Sequence, residues 1–300
     1  MSATPSRPND PFVGAYESPR TRGVGGGLNL NGLVALYLLT LRQHMHGKRW
    51  MIMALLFLLP AVLALVVRMT ALEMLPIEVE FLFVFLVLPH AILPLVALIY
   101  ASGIIQDEQE DQTITYLLIR PIPKWALYVA KLLATVTTTV VLTAAFTAVT
   151  YAVIYFGTDV GPQTVMLRAA NAIAVHSLAM VTYCCLFGLM SLFSRRFLIA
   201  GIIYIIVIEG VFANLPFSVR WLTVIYYARL IVYRMMPFVV TKFGNSINIA
   251  SEAWQLDAER NPTLAGHPTT DTCLIVLLGA SLAFTIIAAV ICSRREFHVK

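Results

Sequence analysis

The sequence predicts an all-α membrane protein with about six transmembrane helices, and three observations carry that prediction. Of its 300 residues 59% are hydrophobic and 12% charged, about half the charged share of an ordinary soluble domain. Mean hydropathy is +0.81. That is more apolar surface than a soluble core could bury, so lipid must take the rest, in runs of about 20 residues. The formal net charge is +5, yet the basic residues gather at the ends of the apolar runs. That placement is what membrane topology requires, and it argues against a nucleic-acid partner.

Residues 1–27 are rich in Pro, Gly, Ser and Arg and lack an apolar run. They read as a disordered cytoplasmic tail without a cleavable signal. Residues 28–49 are moderately apolar and end in a basic cluster, Arg42, His44, His46, Lys48 and Arg49. This pattern predicts an amphipathic helix lying in the membrane interface, with Leu and Tyr toward lipid and Arg and Lys toward headgroups. His44-Met45-His46 is better read as part of that basic patch than as a metal site, because no third ligand is positioned.

The six-span domain is expected over 50–292, followed by a short cytoplasmic tail, 293–300. Span one is predicted over 50–67 and span two over 81–105. Pro89 and Pro94 lie inside span two, where a kink is expected. Span three is predicted over 125–156, long enough to tilt or project. Span four is predicted over 169–193, span five over 197–217 and span six over 271–292. Arg68 and Arg168 fall in short external loops on this reading. Both chain ends and the link Ser194-Arg195-Arg196 are rich in Lys and Arg, which places both termini in the cytoplasm of a multi-pass inner-membrane protein. Between spans five and six, 219–240 mixes aromatic residues with Arg220, Arg229 and Arg234. An interfacial or re-entrant external helix fits that mixture, and a loop packed on the outer face is the alternative. Residues 245–270 read as plain loop, with a turn at Asn261-Pro262.

Cys184, Cys185, Cys273 and Cys292 all lie in apolar segments without zinc-ligand spacing, and read as small packing residues. Thr135, Thr139, Thr143, Thr147 and Thr150 share one arc of span three. Such a stripe suits a helix contact better than a polar path, since each hydroxyl can bond a carbonyl of its own helix. His90, His176 and Glu209 are ionisable groups inside spans, at comparable depth from the external side. With Asn171 and Asn214 they are candidate polar residues either of a translocation path or of helix packing. A Glu209–histidine pair is one arrangement that this depth permits.

The segment between spans two and three is the most specific stretch. It runs Gly103-Ile-Ile-Gln-Asp107-Glu108-Gln-Glu110-Asp111-Gln-Thr113-Ile114-Thr-Tyr-Leu117-Leu118-Ile-Arg120-Pro121-Ile-Pro123-Lys124, and Lys131 follows in span three. An acidic run beside anionic lipid is unfavourable, so its natural use is contact with a basic protein surface. Residues 114–119 have the length for a short surface helix, which Pro121 and Pro123 would stop. In this pattern of Gly, acidic residues, a Thr-Leu-like pair, Leu-Leu, Arg-Pro and a following Lys, the sequence resembles the type-2 ABC exporter permeases. Gln112 stands where that family usually has glycine. The resemblance implies a cytoplasmic coupling hairpin here, docked on an ABC ATPase subunit through Asp107, Glu108, Glu110, Asp111, Thr113, Ile114, Leu117, Leu118 and Arg120. It also implies a second permease copy or homologue, with ATP and magnesium bound on the partner ATPase.

The chain's own residues point to no chemistry. Gly47-Lys48 lacks the rest of a phosphate-binding loop, and no HExxH motif or paired intramembrane Asp is present. No catalytic, cofactor-binding or metal residue is therefore expected. A non-transporting scaffold or assembly factor is the competing reading.

Overall fold

The computed structural model describes residues 30–46, 48–70, 74–104, 123–193, 196–215, 218–242, 245–254 and 267–294. Helix α1 (Leu30–His46) precedes α2 (Lys48–Thr70), whose apolar part Trp50–Thr70 is span one. Span two is α3 (Pro76–Ser102), span three α4 (Lys124–Tyr155), span four α5 (Pro162–Phe193) and span five α6 (Phe197–Asn214). A 3₁₀ turn (Ser218–Leu222), α7 (Val224–Met235), strands β1 (Val239–Lys242) and β2 (Asn245–Asn248), and α8 (Ile249–Trp254) come next. Span six is α9 (Thr270–Arg294). Six described helices are thus long and apolar enough to cross a membrane. We call the end of the bundle that carries 105–122 proximal, and the end that carries α7, α8 and the β-ribbon distal.

Two spans begin earlier than their apolar runs suggest, and both for the same reason. Proline at the first helical position has a preset φ and no N–H to leave unsatisfied. Pro76 starts span two, and the Glu78 carboxylate accepts the Leu75 N–H at 3.0 Å. Pro162 likewise starts span four seven residues ahead of the expected position. Glu80 and Arg168, expected outside the spans, are carried into them.

Span two does not merely kink. From Phe81 to Ile92 it widens into π-helix, and the Leu93 N–H bonds the Leu88 carbonyl. In an i→i+5 register Pro89 and Pro94 withhold N–H groups from Val84 and Pro89, and the wider turn accommodates both rings. Span five ends in a second π segment, Ile205–Val211, followed by the 3₁₀ turn Phe212–Asn214.

Spans two, three and four form the centre. Span two has 61% of its apolar window buried, against 28% for span one, 22% for span five and 17% for span six, so lipid or another chain must cover the latter three. The threonine stripe of span three is fully buried. Thr139 bonds the Thr135 carbonyl at 2.9 Å and Thr143 the Thr139 carbonyl at 2.8 Å, and Thr139 meets Cys184 Sγ of span four at 3.4 Å. Cys185 turns the other way and accepts from Thr285 of span six at 3.4 Å. Nearby, Ser281 of span six donates to Thr182 of span four at 3.1 Å. The adjacent cysteines therefore serve two helix interfaces. Helix α1 packs on span three, where Tyr37 donates to Thr137 at 3.2 Å, and His44 meets the Tyr100 ring edge-on at 5.2 Å.

Gly188 lets spans three and four pack closely. A Cβ there would lie 2.7 Å from Tyr128 Oη and 3.4 Å from Ile104 and Leu132 methyl carbons. Gly188→Leu is expected to destabilise the fold by about 1–3 kcal/mol through overpacking. Gly279→Ala in span six, where nothing lies within 4 Å, should stay within about 0.5 kcal/mol of the parent. Unfolding midpoints in detergent check both, and equal midpoints for the two variants would contradict this packing.

Between spans five and six, where an external helix is expected over 219–240 and loop beyond it, the structure holds both helix and strand. The segment 219–240 contains the 3₁₀ turn and α7, and most of α7 is buried against the spans rather than laid on their surface. Residues 245–254, expected to be plain loop, form β2 and α8 instead. Strand β2 pairs antiparallel with β1, from Val239↔Asn248 to Lys242↔Asn245. The β-branched Val239, Val240, Thr241 and Ile247 favour that pairing. Residues 255–266 lie outside the described set.

Candidate functional site

The expected coupling residues Asp107, Glu108, Glu110, Asp111, Thr113, Ile114, Leu117, Leu118 and Arg120 all lie outside the described residues. Both flanks of their segment are described. At the exit of span two, the Ile104 carbonyl accepts from Lys131 Nζ at 3.2 Å, and Lys131 is 4% exposed. At the entry of span three, the extended Pro123 starts the helix, its carbonyl accepting the Ala126 and Leu127 N–H groups at 3.0 and 3.2 Å. Cys292 of span six donates to the Lys124 carbonyl at 3.5 Å. Residues 105–122 are thus strung between two anchored points, one held by a buried lysine.

Three of the five intramembrane polar residues, Glu209, His90 and Asn214, are held against α7 at the distal end, in a different pairing from the expected one. Glu209 is fully buried but takes no histidine. Its Oε1 accepts from Tyr204 Oη and the Val224 N–H, both at 3.0 Å, and Oε2 accepts the Ile225 N–H at 3.1 Å. Those amides open α7, whose N-cap Thr223 makes no side-chain cap bond of its own. A carboxylate there satisfies orphan donors and sits at the positive end of the helix dipole. Glu209→Gln keeps the shape but loses the charge, and should weaken this cap by about 1.5–3 kcal/mol. Amide hydrogen exchange should accelerate in 224–235 and not in span three; unaltered exchange in α7 would sink the assignment.

His90 pairs with Arg229 of α7 through Nε2, while its Nδ1 lies 2.7 Å from the Leu86 carbonyl. That carbonyl can only accept, so the ring proton sits on Nδ1 and Nε2 receives the guanidinium. Asn214 joins the same group, Oδ1 accepting from Arg229 at 3.0 Å and Nδ2 donating to the Gly210 carbonyl at 2.6 Å. His176 stands apart, tilted against the Phe85 ring at 5.6 Å. It lies toward the Val84 carbonyl that Pro89 leaves without its amide, but short of hydrogen-bond geometry. Asn171 is half-buried and bonds to neither group.

A second distal cluster was not foreseen. Glu80, fully buried, accepts from Tyr151 at 2.6 Å, from Tyr155, and from Arg168 Nε at 2.9 Å. Arg168 also donates to the Pro237 carbonyl at 3.3 Å and lies 5.0 Å over the Phe238 ring. One ion pair therefore ties spans two, three and four together, and its arginine ties them to the segment between α7 and β1. Beside it, Arg68 of α2 donates to the Val153 carbonyl at 2.7 Å.

Outside the spans, burial pulls the Arg229 guanidinium down to about 10, still a cation at neutral pH. Burial, then Arg220 and Arg234, push His267 below the usual imidazole range, and its Nδ1 pairs with Tyr226 Oη at 2.8 Å. These groups hold helices, cap a helix and place charge. They form no nucleophile–base pair, and among the described residues no three His, Cys, Asp or Glu are grouped to hold a metal ion.

No curated protein matches the chain. A family model described as ABC-2 family transporter protein matches residues 44–211. The match covers spans one to four, the acidic segment and span five through its π segment, Ile205–Val211. With more than half its length in that match and six apolar helices around it, this chain belongs to the ABC-2 type transporter permeases, a membrane subunit for transport.

Proposed function

We propose that this permease is the membrane-spanning subunit of an ATP-driven ABC exporter, coupled to a separate ATPase subunit through residues 105–122. The observation that carries the proposal is the acidic, Thr-Ile, Leu-Leu, Arg-Pro segment, which lies inside the family match. The anchoring of its two ends supports it further. A push on this segment reaches span two through Ile104, and span three through Lys124 and through the Lys131 bond to Ile104. In this reading ATP and magnesium bind on the partner, and Glu108 and Glu110 meet a basic face of that subunit. Both termini lie in the cytoplasm, α1 rests in the inner-membrane interface, and the distal end faces outward.

A second copy or a homologue completes the pathway, consistent with the large apolar faces that spans one, five and six leave uncovered. The polar residues Glu209, His90, Asn214, His176 and Asn171 are then among the groups toward the exit side of that pathway. Affinity purification of the full chain from the membranes of its own cell tests the reading. An ATPase subunit carrying a phosphate-binding loop should be recovered in stoichiometric amount. Recovery of the permease without any ATPase would favour the scaffold reading instead.

A further inference from the structure

Arg229 is a cation buried in the distal end, 6% exposed, and no carboxylate among the described residues pairs with it. Its partners are neutral. Nη1 donates to the Ala213 carbonyl at 3.3 Å, and Nη2 to Asn214 Oδ1 at 3.0 Å and to His90 Nε2. Glu209, which acts on it through space, has both oxygens committed to Tyr204 and the start of α7. Arg229 Nε is buried and has no acceptor. Trp254, 5% exposed, faces the same guanidinium, 5.8 Å from its carbon to the ring centre, and the indole Nε1 also lacks an acceptor.

A buried charge held by neutral acceptors alone is unfavourable, and buried donors left without acceptors call for an occupant. A water could satisfy one donor but would not balance the charge. An oxyanion does both, and guanidinium nitrogens together with an indole N–H are donors suited to it. The adjoining wall is aromatic: Trp254 lies 5.1 Å from Phe81, Phe81 5.3 Å from Phe238, and Phe238 5.2 Å from Phe85. An anionic head beside such a wall fits an amphiphile better than a small inorganic ion.

We propose that Arg229 Nε and Trp254 Nε1 form a binding site for the oxyanion group, carboxylate or phosphate, of an amphiphilic ligand. The ligand is cargo if the transport reading above holds, on which this part of the inference rests. His90 and Asn214 act as positioning residues that hold the guanidinium, and α8 brings Trp254 over it.

The test is direct binding to the full chain in phosphatidylcholine nanodiscs, with radiolabelled dodecanoate and dodecyl phosphate as probes and dodecanol as the neutral control. Both anions should bind at least about 10-fold more tightly than dodecanol, as expected for a charge-assisted hydrogen bond. Arg229→Gln should bring dodecanoate to the level of dodecanol. Trp254→Phe keeps an aromatic ring and removes the N–H, and should weaken dodecanoate about 3- to 10-fold. Arg229→Lys, which keeps the charge without Nε, should fall between, and these two variants decide the matter if Arg229→Gln does not fold.

Equal binding of dodecanol, or unaltered dodecanoate binding in both Trp254→Phe and Arg229→Lys, overturns the site. Phosphatidylglycerol in the nanodisc separates the sources. Competition with dodecanoate assigns the site to a lipid headgroup, and no competition assigns it to a free amphiphile. ATPase association, measured on the same preparations, keeps the two readings apart. Its loss with binding intact removes the transport reading alone, and binding lost with association intact removes this site alone.

Discussion

Glu80→Ala is expected to destabilise the permease by about 3–5 kcal/mol, because it strands Arg168 as a buried charge without its partner. The carboxylate is fully buried and the Arg168 side chain is 13% exposed, so little solvent can replace what is lost. Tyr151 and Tyr155 lose their acceptor at the same time. Glu80→Gln keeps an acceptor oxygen and should cost less. Tyr151→Phe should cost about 1 kcal/mol, the value of one hydrogen bond. SDS-driven unfolding in mixed micelles measures all three. A Glu80→Ala variant within about 1 kcal/mol of the parent would mean that the cluster does not hold the distal end together. The double variant Glu80→Ala, Arg168→Met removes both charges and should recover much of the loss, since a buried pair is worth far less than breaking it costs.

That cluster also shows where sequence reading fails. Hydropathy placed the start of span two at Phe81 and of span four at Ala169, which left Glu80 and Arg168 outside the helices. The missing signal was local and present. Pro76 with Glu78 two residues on, and Pro162 after Gly161, are helix-start patterns. Extending the spans by those turns puts Glu80 and Arg168 on helices, although nothing local says that they face each other. The β-ribbon is a similar case. Val239 to Lys242 and Asn245 to Asn248 flank a two-residue link containing Gly244, a hairpin pattern hidden by the polar composition after it.

Composition and run length were enough for six apolar spans, because lipid exposure imposes its constraint residue by residue. The threonine period was readable for the same reason, as a geometric property of one helix. Pairings between helices were not readable. Equal depth allowed Glu209 to meet a histidine, but depth says nothing about rotation around the bundle. Arg229 claims His90, and the first turn of α7 claims Glu209. Pro89 and Pro94 of span two stand five residues apart, a spacing that matches the i→i+5 register of its π turns.

The second large effect concerns Glu108 and Glu110. If a basic face of an ATPase subunit receives them, the double substitution Glu108→Lys, Glu110→Lys places like charges in contact. A like-charge juxtaposition costs several kcal/mol, and each ~1.4 kcal/mol is tenfold in affinity. Association should weaken by at least about 100-fold, and an unfolding midpoint equal to the parent's, measured alongside, shows that the loss is not one of folding. Lys131→Met should act differently, leaving association intact and breaking the tie between span three and the Ile104 carbonyl at the exit of span two, so ATP hydrolysis continues while transport falls. The central measurement is therefore the affinity of the purified ATPase subunit for the reconstituted permease, parent against Glu108→Lys, Glu110→Lys. The account predicts tight binding by the parent and near-complete loss in the variant, and equal affinities for the two would contradict it.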